Sequence, residues 1–375
     1  MRDTLRGYCA RFCARISLEY DIIKPMYSPK FIITPLILDK ISQITEIKTI
    51  IERSRVIPKR EIELRRQAVV RMVHTSTSIE GNQLKEFQVS KVLEDQPVMA
   101  DARSIQEVKN YQQALLILDT LCRKSSIEME DVLALQKATT KKVLPESKSG
   151  HFRPSTVYVV NTVGNIDKVM YRPPSAKKVP QLITDLLEWL KRTSKEGLHP
   201  VITAGILHLE FASIHPFTDG NGRTTRLLTQ LHLTQRNWDF RRILVLDEYY
   251  NQDRLEYYNA LQIEKTYRDR IGKDITSWLE YFTEGFLVEA MRVKDDILAT
   301  GLDKIPSKGE QIFLDRDEIP VLDFITTVGR ITSDDVMDIL NVSRRTAQMR
   351  LKGLVEKGLL MRHGSTTAIY YTLRK

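Results

Sequence analysis

Most of the chain shows the apolar spacing of amphipathic helices. Segments 60–79, 104–121 and 175–193 place apolar side chains about every 3.6 residues, which is the period of one helix face. Segment 274–286 follows the same pattern, and Asp274 stands where an N-cap residue is expected. The sequence therefore predicts a mainly α protein.

One interval breaks this helical pattern. Residues 155–174 are rich in β-branched and aromatic side chains, carry a turn signal at Gly164-Asn165 and end in Pro173-Pro174. Such a composition around a short polar turn predicts a β-hairpin. Because the neighbouring segments are helical, we expect this hairpin to lie on the surface.

The C-terminal part of the chain has a different organisation. Periodicity is lost over residues 299–320, where Gly, Pro and charged residues gather, and we interpret this stretch as a linker. Beyond it, a short helix near 333–340, a turn at Asn341 and a second helix capped by Ser343 precede a small hairpin. This order predicts a winged helix-turn-helix module over residues 321–375.

Basic residues gather on the second helix of that module, at Arg344, Arg345 and Arg350. Arginines on such a helix favour DNA binding, but winged helices also serve as protein-docking or dimerisation units. Both uses stay open, as does a homodimer. The 375-residue chain carries a net charge of +9, which is compatible with nucleotide or nucleic-acid binding.

Cysteine content and hydropathy bear on the compartment. Cys9, Cys13 and Cys122 form a sparse, odd set, which is typical of a reducing environment rather than of a disulfide framework. No run of about 18 apolar residues is present, and the basic residues 1–26 lack the apolar core of a secretory signal. We therefore expect a cytoplasmic protein without membrane spans, in which residues 1–26 form an N-terminal extension.

Residue types that can take part in catalysis or bind a ligand gather in the segment HPFTDGNGRTTR, residues 215–226, which lies between two apolar helical runs. Its glycines permit a sharp turn that ends at a helix N-terminus, where free N–H groups and the macrodipole favour an anion. Arg223 and Arg226 stand three residues apart and can face the same anion, and two arginines suit a polyphosphate. The loop therefore predicts a phosphate site.

Two further side chains extend this chemistry. A carboxylate such as Asp219 beside a phosphate site is repulsive without a cation between them, and Mg²⁺ is commonly held by one or two carboxylates plus phosphate oxygens. His215 belongs to a residue type with an ordinary pKa of about 6.5, which suits proton abstraction near neutrality. Together these groups predict transfer of a phosphorus group from a nucleotide to a hydroxyl.

The same segment matches H-x-F-x-[D/E]-G-N-[G/K]-R-x-x-R at every fixed position, and it therefore resembles the signature of the Fic/DOC family. The resemblance implies a helical bundle with a β-hairpin flap, and a protein adenylyltransferase that moves AMP from ATP to a Ser, Thr or Tyr hydroxyl of a protein. It implies His215 as the general base and Asp219 as the Mg²⁺ ligand. The nucleotide site that it implies consists of Gly220, Asn221, Gly222, Arg223, Arg226, Asp253 and Tyr258.

The last two of these residues belong to the segment DRLEYYNAL, which is similar to a stretch that family members often carry near the nucleotide. Tyr257 and Tyr258 of this segment are equally compatible with a place in the core. Both interpretations stay open.

A second motif lies upstream, where STSIEGN fits [S/T]-x-x-x-E-[G/N] with Ser76, Glu80 and Gly81. A carboxylate at a helix C-terminus opposes the macrodipole by about 0.3–1 kcal/mol, so Glu80 is expected to have a cationic partner. Gly81 is a natural residue after a helix end. The motif resembles the inhibitory signature of Fic proteins, which implies that Arg226 is the partner and that Glu80 takes the γ-phosphate position.

These observations divide the chain into an N-terminal helical region with the inhibitory helix (27–100) and a Fic catalytic core (101–298), followed by the linker and the C-terminal module. We expect an autoinhibited adenylyltransferase that uses ATP and Mg²⁺ and acts on a protein with an exposed hydroxyl. One alternative is transfer of another nucleotide, or removal of AMP, by the same site. Another is a transcription regulator that only senses nucleotide, although a sensor has no need of a base such as His215.

Overall fold

The computed structural model describes residues 27–54, 56, 58–163, 166–301, 314–364 and 369–374. The predicted N-terminal extension with Cys9 and Cys13, and the turn at Gly164-Asn165, lie outside the described residues. Helices dominate the described chain, and its named strands form two antiparallel pairs. The predicted mainly α fold is therefore confirmed. Within these ranges, no helix has the length and hydropathy needed to cross a membrane.

Helices before the hairpin build the first half of the core. They are α1 (Pro35–Arg53), α2 (Pro58–Ile79), α3 (Glu86–Leu93), α4 (Ala102–Leu121) and α5 (Met129–Thr140). The Thr34 hydroxyl caps α1 by accepting the Ile37 N–H at 3.2 Å, and the Asp101 carboxylate caps α4 by accepting the Ser104 N–H at 2.8 Å. Helices α2 and α4 match the helices predicted from the apolar period to within two residues at each end.

Strands β1 (Val159–Val163) and β2 (Ile166–Tyr171) form the predicted hairpin. Val160 stands opposite Val169, and these side chains are 45% and 43% exposed, so the hairpin lies on the surface as expected. Its end is fixed to the core through Arg172, whose N–H donates to the Lys265 carbonyl at 3.0 Å.

Seven helices follow a 3₁₀ turn at Ala176–Lys178. They are α6 (Val179–Glu196), α7 (Pro200–Ile214), α8 (Asn221–Gln235), α9 (Asp247–Gln252), α10 (Arg254–Leu261), α11 (Tyr267–Arg270) and α12 (Thr276–Gly301). Helix α7 is apolar on nearly every side, and it lies in the centre of the bundle with α6, α8 and α12 packed around it. The Asp274 carboxylate accepts the Thr276 N–H at 2.7 Å, so α12 begins two residues after the predicted cap.

The C-terminal module contains α13 (Glu318–Val328), α14 (Ser333–Leu340), α15 (Arg344–Glu356), β3 (Leu360–His363) and β4 (Tyr370–Leu373). Asn341 turns the chain with a φ of 51°, and the Ser343 hydroxyl accepts the Thr346 N–H at 3.3 Å at the start of α15. The predicted helix, turn and capped helix are therefore present, while the assignment to the winged-helix class stays a prediction. Helix α12 extends to Gly301 and α13 begins at Glu318, so helices occupy both ends of the predicted linker 299–320, of which residues 302–313 lie outside the described residues.

The module packs directly on the core through α13, a helix that the sequence analysis did not anticipate. Ile62 of α2 belongs to the apolar cluster of the module. Arg65, one turn further along α2, pairs with Asp323 of α13. Gln112 of α4 donates to the Thr327 carbonyl at 2.8 Å. Helix α2 therefore contributes to both apolar cores.

Candidate active site

The motif segment forms the connection between α7 and α8. Helix α7 ends at Ile214 and His215 caps it, with an N–H that donates to the Phe211 carbonyl at 3.1 Å and a left-handed φ of 50°. Pro216 follows and prevents the helix from continuing. Phe217 is fully buried, with its ring centroid 5.6 Å from Phe152 and 6.3 Å from Phe211. The aromatic contacts fix the loop immediately after the histidine.

Polar side chains fix the rest of the loop. The Asn221 amide bonds the Phe217 backbone twice, accepting its N–H at 2.8 Å and donating to its carbonyl at 2.9 Å. Gln136 of α5 donates to the Asp219 carbonyl at 3.0 Å. Gly220 has a φ of 81°, and a Cβ there would lie 2.9 Å from Thr140. The Asn221 amide is thus used in shaping the loop, while the first N–H groups of α8 stand at a helix N-terminus.

His215 has the protonation state that a base requires. Its Nδ1 lies 3.4 Å from the Ala212 carbonyl, which can only accept, so Nδ1 carries the proton in this contact. Nε2 then keeps its lone pair, and among the described residues no hydrogen bond engages it. Burial lowers the pKa of His215 to about 4, so the imidazole is neutral at pH 7.

Arg226 is buried and is already bound by the end of α2. Its Nε donates to the Ser76 hydroxyl at 2.7 Å, and its Nη2 donates to the Ser76 carbonyl at 2.8 Å. The same Nη2 donates to the Glu80 carboxylate at 2.9 Å. Asp247 of α9 stands 3.5 Å from Nε. The Glu80–Arg226 pair that the resemblance implied is therefore present in the structure.

Glycines on both sides allow this pair to form. Helix α2 ends at Ile79, and Gly81 leaves it with a φ of 98° while donating to the Ser78 carbonyl at 2.9 Å. On the facing element, a Cβ at Gly222 would collide with the Glu80 carboxylate. Glu80 therefore lies against the first turn of α8, where an anion would bind.

Arg223 is buried too, but its hydrogen bonds are incomplete. Its Nη2 lies 3.3 Å from the Asp219 carboxylate, and its Nη1 lies 3.8 Å from Glu107 of α4. Within the described ranges, its Nε and Nη1 have no hydrogen-bond acceptor. A buried guanidinium with unused donors at a helix N-terminus suits an anionic ligand.

Asp219 is the residue of this loop that could hold a metal ion. Its carboxylate accepts the Gly220 N–H at 2.5 Å and stays partly exposed beside Arg103, 3.7 Å away. The described part of the chain has no group of three or more His, Cys, Asp or Glu side chains that would hold a metal unaided. Mg²⁺ often takes only one or two carboxylates and completes its shell with water and phosphate oxygens. A single Asp219 fits that mode of binding.

The segment DRLEYYNAL, which begins at Asp253, has side chains both in the core and near the candidate site. Tyr257 is buried, and its hydroxyl lies 2.8 Å from His208 Nε2, so it is a core residue. Tyr258 is 48% exposed, and its hydroxyl donates to the Ile79 carbonyl at 3.4 Å, beside Glu80 at the end of α2. Asp253 is exposed and caps α10 by accepting the Glu256 N–H at 2.9 Å. Nucleotide contacts by Asp253 and Tyr258 stay a prediction.

Four polar residues at the site were missed by the sequence analysis: Glu107, Gln136, Arg153 and Asp247. None of them belongs to a sequence motif that indicates chemistry. Asp247 shows how such a residue acquires a role only in the fold, since burial raises its pKa to about 6 although Arg226 opposes that shift.

Comparisons with known proteins bear on the family and the fold of this chain. Residues 126–233 match the sequence profile of the Fic/DOC family. The chain is 30% identical over 203 residues to the protein adenylyltransferase Fic of Drosophila grimshawi, a match that covers 53% of this chain and 38% of that protein. A Fic family protein from Desulfovibrio desulfuricans has a similar structure, with a TM-score of 0.61 and 26% identity over 92% of this chain and 98% of its own.

A Fic domain-containing signaling protein from Bacteroides thetaiotaomicron shows the same fold, with a TM-score of 0.58 and 21% identity over 73% of this chain and 100% of its own. The helical bundle, the hairpin and the loop at residues 215–226 thus define a Fic-type fold. The chain contains a Fic/DOC family domain, as its motif predicted. It spans 38% of the length of the Drosophila grimshawi relative, so the activity of that whole protein does not transfer directly.

Proposed function

We propose that this protein transfers AMP from ATP to a Ser, Thr or Tyr hydroxyl of a target protein, and that Glu80 inhibits the transfer. The observation that carries the proposal is the neutral His215, whose Nε2 has no hydrogen bond among the described residues, directly before a helix N-terminus that suits an anion. The relatives that are named protein adenylyltransferase support the same chemistry.

The residues divide the reaction between them. His215 Nε2 takes the proton of the target hydroxyl as its oxygen bonds to the α-phosphorus of ATP. The bond from that phosphorus to the bridging oxygen breaks, and diphosphate leaves. The N–H groups at the start of α8, with Arg223 and Arg226, stabilise the charge on the phosphates. Asp219 would hold Mg²⁺, whose charge offsets that of the phosphates.

Inhibition follows from competition for one guanidinium. Arg226 cannot bind Glu80 and a phosphate fully at once, since Glu80 already occupies its Nη2 at 2.9 Å. Glu80 also lies where the ligand would approach Gly222. ATP bound beside Glu80 would therefore lack its distal clamp and take an unproductive pose.

Labelled ATP tests the proposal. In Glu80→Gly protein, label on the α-phosphate should become protein-bound and label on the γ-phosphate should not. Adding His215→Ala should reduce incorporation by about 10²–10⁴-fold, because a general base contributes that much. His363→Ala in the C-terminal hairpin is the matched control and should not change the rate.

Other outcomes would redirect the assignment. Incorporation of γ-label would overturn AMP transfer, and preference for labelled UTP would change the nucleotide. Release of AMP from modified protein, without incorporation, would favour AMP removal by the same site. ATP binding without any covalent product would favour the nucleotide-sensing regulator.

A further inference from the structure

We propose that Arg153 is a positioning residue that holds His215 in the orientation needed for catalysis. The inference rests on the proposed function, because it concerns the base of that reaction. Arg153 lies just before the hairpin and is only 2% exposed. Among the described residues, no carboxylate pairs with its guanidinium. Arginine is rarely buried without a counter-ion, so its burial here indicates a specific use of its donors.

The hydrogen bonds of the Arg153 guanidinium all go to backbone carbonyl oxygens. Nε donates to His215 at 2.8 Å, Nη1 to Ser155 at 3.0 Å, and Nη2 to Pro174 at 2.5 Å and to Ile214 at 3.5 Å. The backbone N–H of Arg153 donates to the Pro216 carbonyl at 3.0 Å. Residue 153 therefore binds the carbonyls on both sides of the base and that of the base itself.

These bonds act where the backbone needs support. His215 has a φ of 50° and a ψ of 60°, a left-handed conformation that is uncommon for a residue other than glycine. The Arg153 guanidinium and N–H fix the two peptide units that follow His215. Because the side-chain direction depends on those backbone angles, they also fix where the imidazole points.

The same guanidinium connects the base to the hairpin. Pro174 follows the hairpin, and the Arg153 guanidinium donates both to the Pro174 carbonyl and to the His215 carbonyl. A target hydroxyl presented by the hairpin would therefore meet a base that is held by the same side chain. Loss of alignment by about 1 Å can cost about 10²-fold in rate. Arg153 touches neither the loop glycines nor Arg226, so ATP binding should not depend on it.

The kinetic test uses Glu80→Gly protein as the parent. Arg153→Met should lower kcat by about tenfold to a hundredfold and leave KM for ATP within about twofold. Arg153→Lys keeps the positive charge but has fewer N–H donors, so its kcat should lie between that of Arg153→Met and that of the parent. Ser213→Ala is the local control, because it removes the bond from that hydroxyl to the Leu209 carbonyl at 2.7 Å without touching the peptides beside His215.

The results separate positioning from simple support of the fold. The inference is overturned if Arg153→Met keeps the kcat of the parent. It is also overturned if kcat falls and KM for ATP rises by the same factor. If Arg153→Met does not fold, Arg153→Lys decides, with reduced kcat at unchanged KM supporting the role and a parental kcat overturning it.

A second measurement does not depend on AMP transfer. The ¹⁵N chemical shifts of the His215 ring should show a fixed Nδ1–H tautomer in the parent and averaged values in the Arg153 variant that folds. Unchanged shifts in that variant overturn the inference, whether or not the parent transfers AMP. A parent that transfers no AMP refutes only the proposed function.

Discussion

Replacing Glu80 with glycine removes the carboxylate 2.9 Å from Arg226 and should activate the protein. The Arg226 side chain is 1% exposed and that of Glu80 is 28% exposed, so the pair is only partly screened by water. A hydrogen bond between charged groups contributes about 1.5–3 kcal/mol, and the exposure of Glu80 favours the lower half of that range. At about 1.4 kcal/mol per tenfold change, the rate of AMP transfer should rise by roughly 10- to 40-fold.

The fold should tolerate this change. Arg226 keeps its bonds to the Ser76 hydroxyl at 2.7 Å and carbonyl at 2.8 Å, and Asp247 still stands 3.5 Å from its Nε. Removing a carboxylate from a helix C-terminus also relieves an unfavourable interaction with the macrodipole. Because this relief offsets only part of the lost hydrogen bond, the melting temperature should fall by no more than a few degrees.

The assay is the initial rate of α-label incorporation, with two companion variants. Glu80→Gln keeps the shape of the side chain without its charge, so it should fall between the parent and Glu80→Gly. Glu94→Gly removes another helix-end glutamate, one that pairs with Arg66, and should leave the rate unchanged. Equal rates for the parent and Glu80→Gly would refute inhibition by Glu80. A lower rate in Glu80→Gly would indicate that Glu80 itself takes part in chemistry, as in AMP removal.

Three further predictions concern pH, salt and the C-terminal module. Burial lowers the pKa of His215 to about 4 and those of His208 and His232 to about 3. In the unfolded chain these histidines have pKa values near 6.5, so below that pH the unfolded chain binds more protons than the folded one. The free energy of unfolding should therefore fall as pH drops below about 6.5, and thermal melts measured at a series of pH values check this. If the module binds duplex DNA, affinity should fall steeply with salt and Arg345→Ala should weaken it, whereas no binding at low salt favours protein docking. Removing residues 314–375 should lower the melting temperature of the remainder, because it uncovers Ile62, and an unchanged value would contradict the shared packing.

The loop at the site could be predicted because its chemistry is contiguous. Residues 215–226 carry the histidine, the carboxylate and both arginines, and they span the turn between two helices and the start of the second helix, so local spacing already brings them together. The Glu80–Arg226 pair differs, because its members are 146 residues apart. No periodicity joins them, and only the resemblance to the inhibitory signature indicated the contact.

Features that arise from tertiary packing could not be predicted. The partners of Arg153 are backbone carbonyl groups on three separate segments. Every residue has such a carbonyl, so the sequence does not indicate which of them will accept a hydrogen bond. Helix α13 was hidden by the Gly, Pro and charged residues around it. Pro320 stands in its first turn, where a missing N–H costs no intrahelical bond, so a residue that suggested a linker is compatible with a helix start.

Helix α2 is where the division of the chain by sequence and the packing of the structure differ most. Ile62 belongs to the apolar cluster of the C-terminal module, and Ser76, 14 residues later, binds Arg226 at the candidate site. At 1.5 Å per residue the two positions are about 21 Å apart along one continuous helix. The expected N-terminal helical region 27–100, which contains α2, follows chain order, while the contacts of α2 extend to the module and to the candidate site. One continuous helix therefore carries both the contact with the module at Ile62 and the contacts with Arg226 at Ser76.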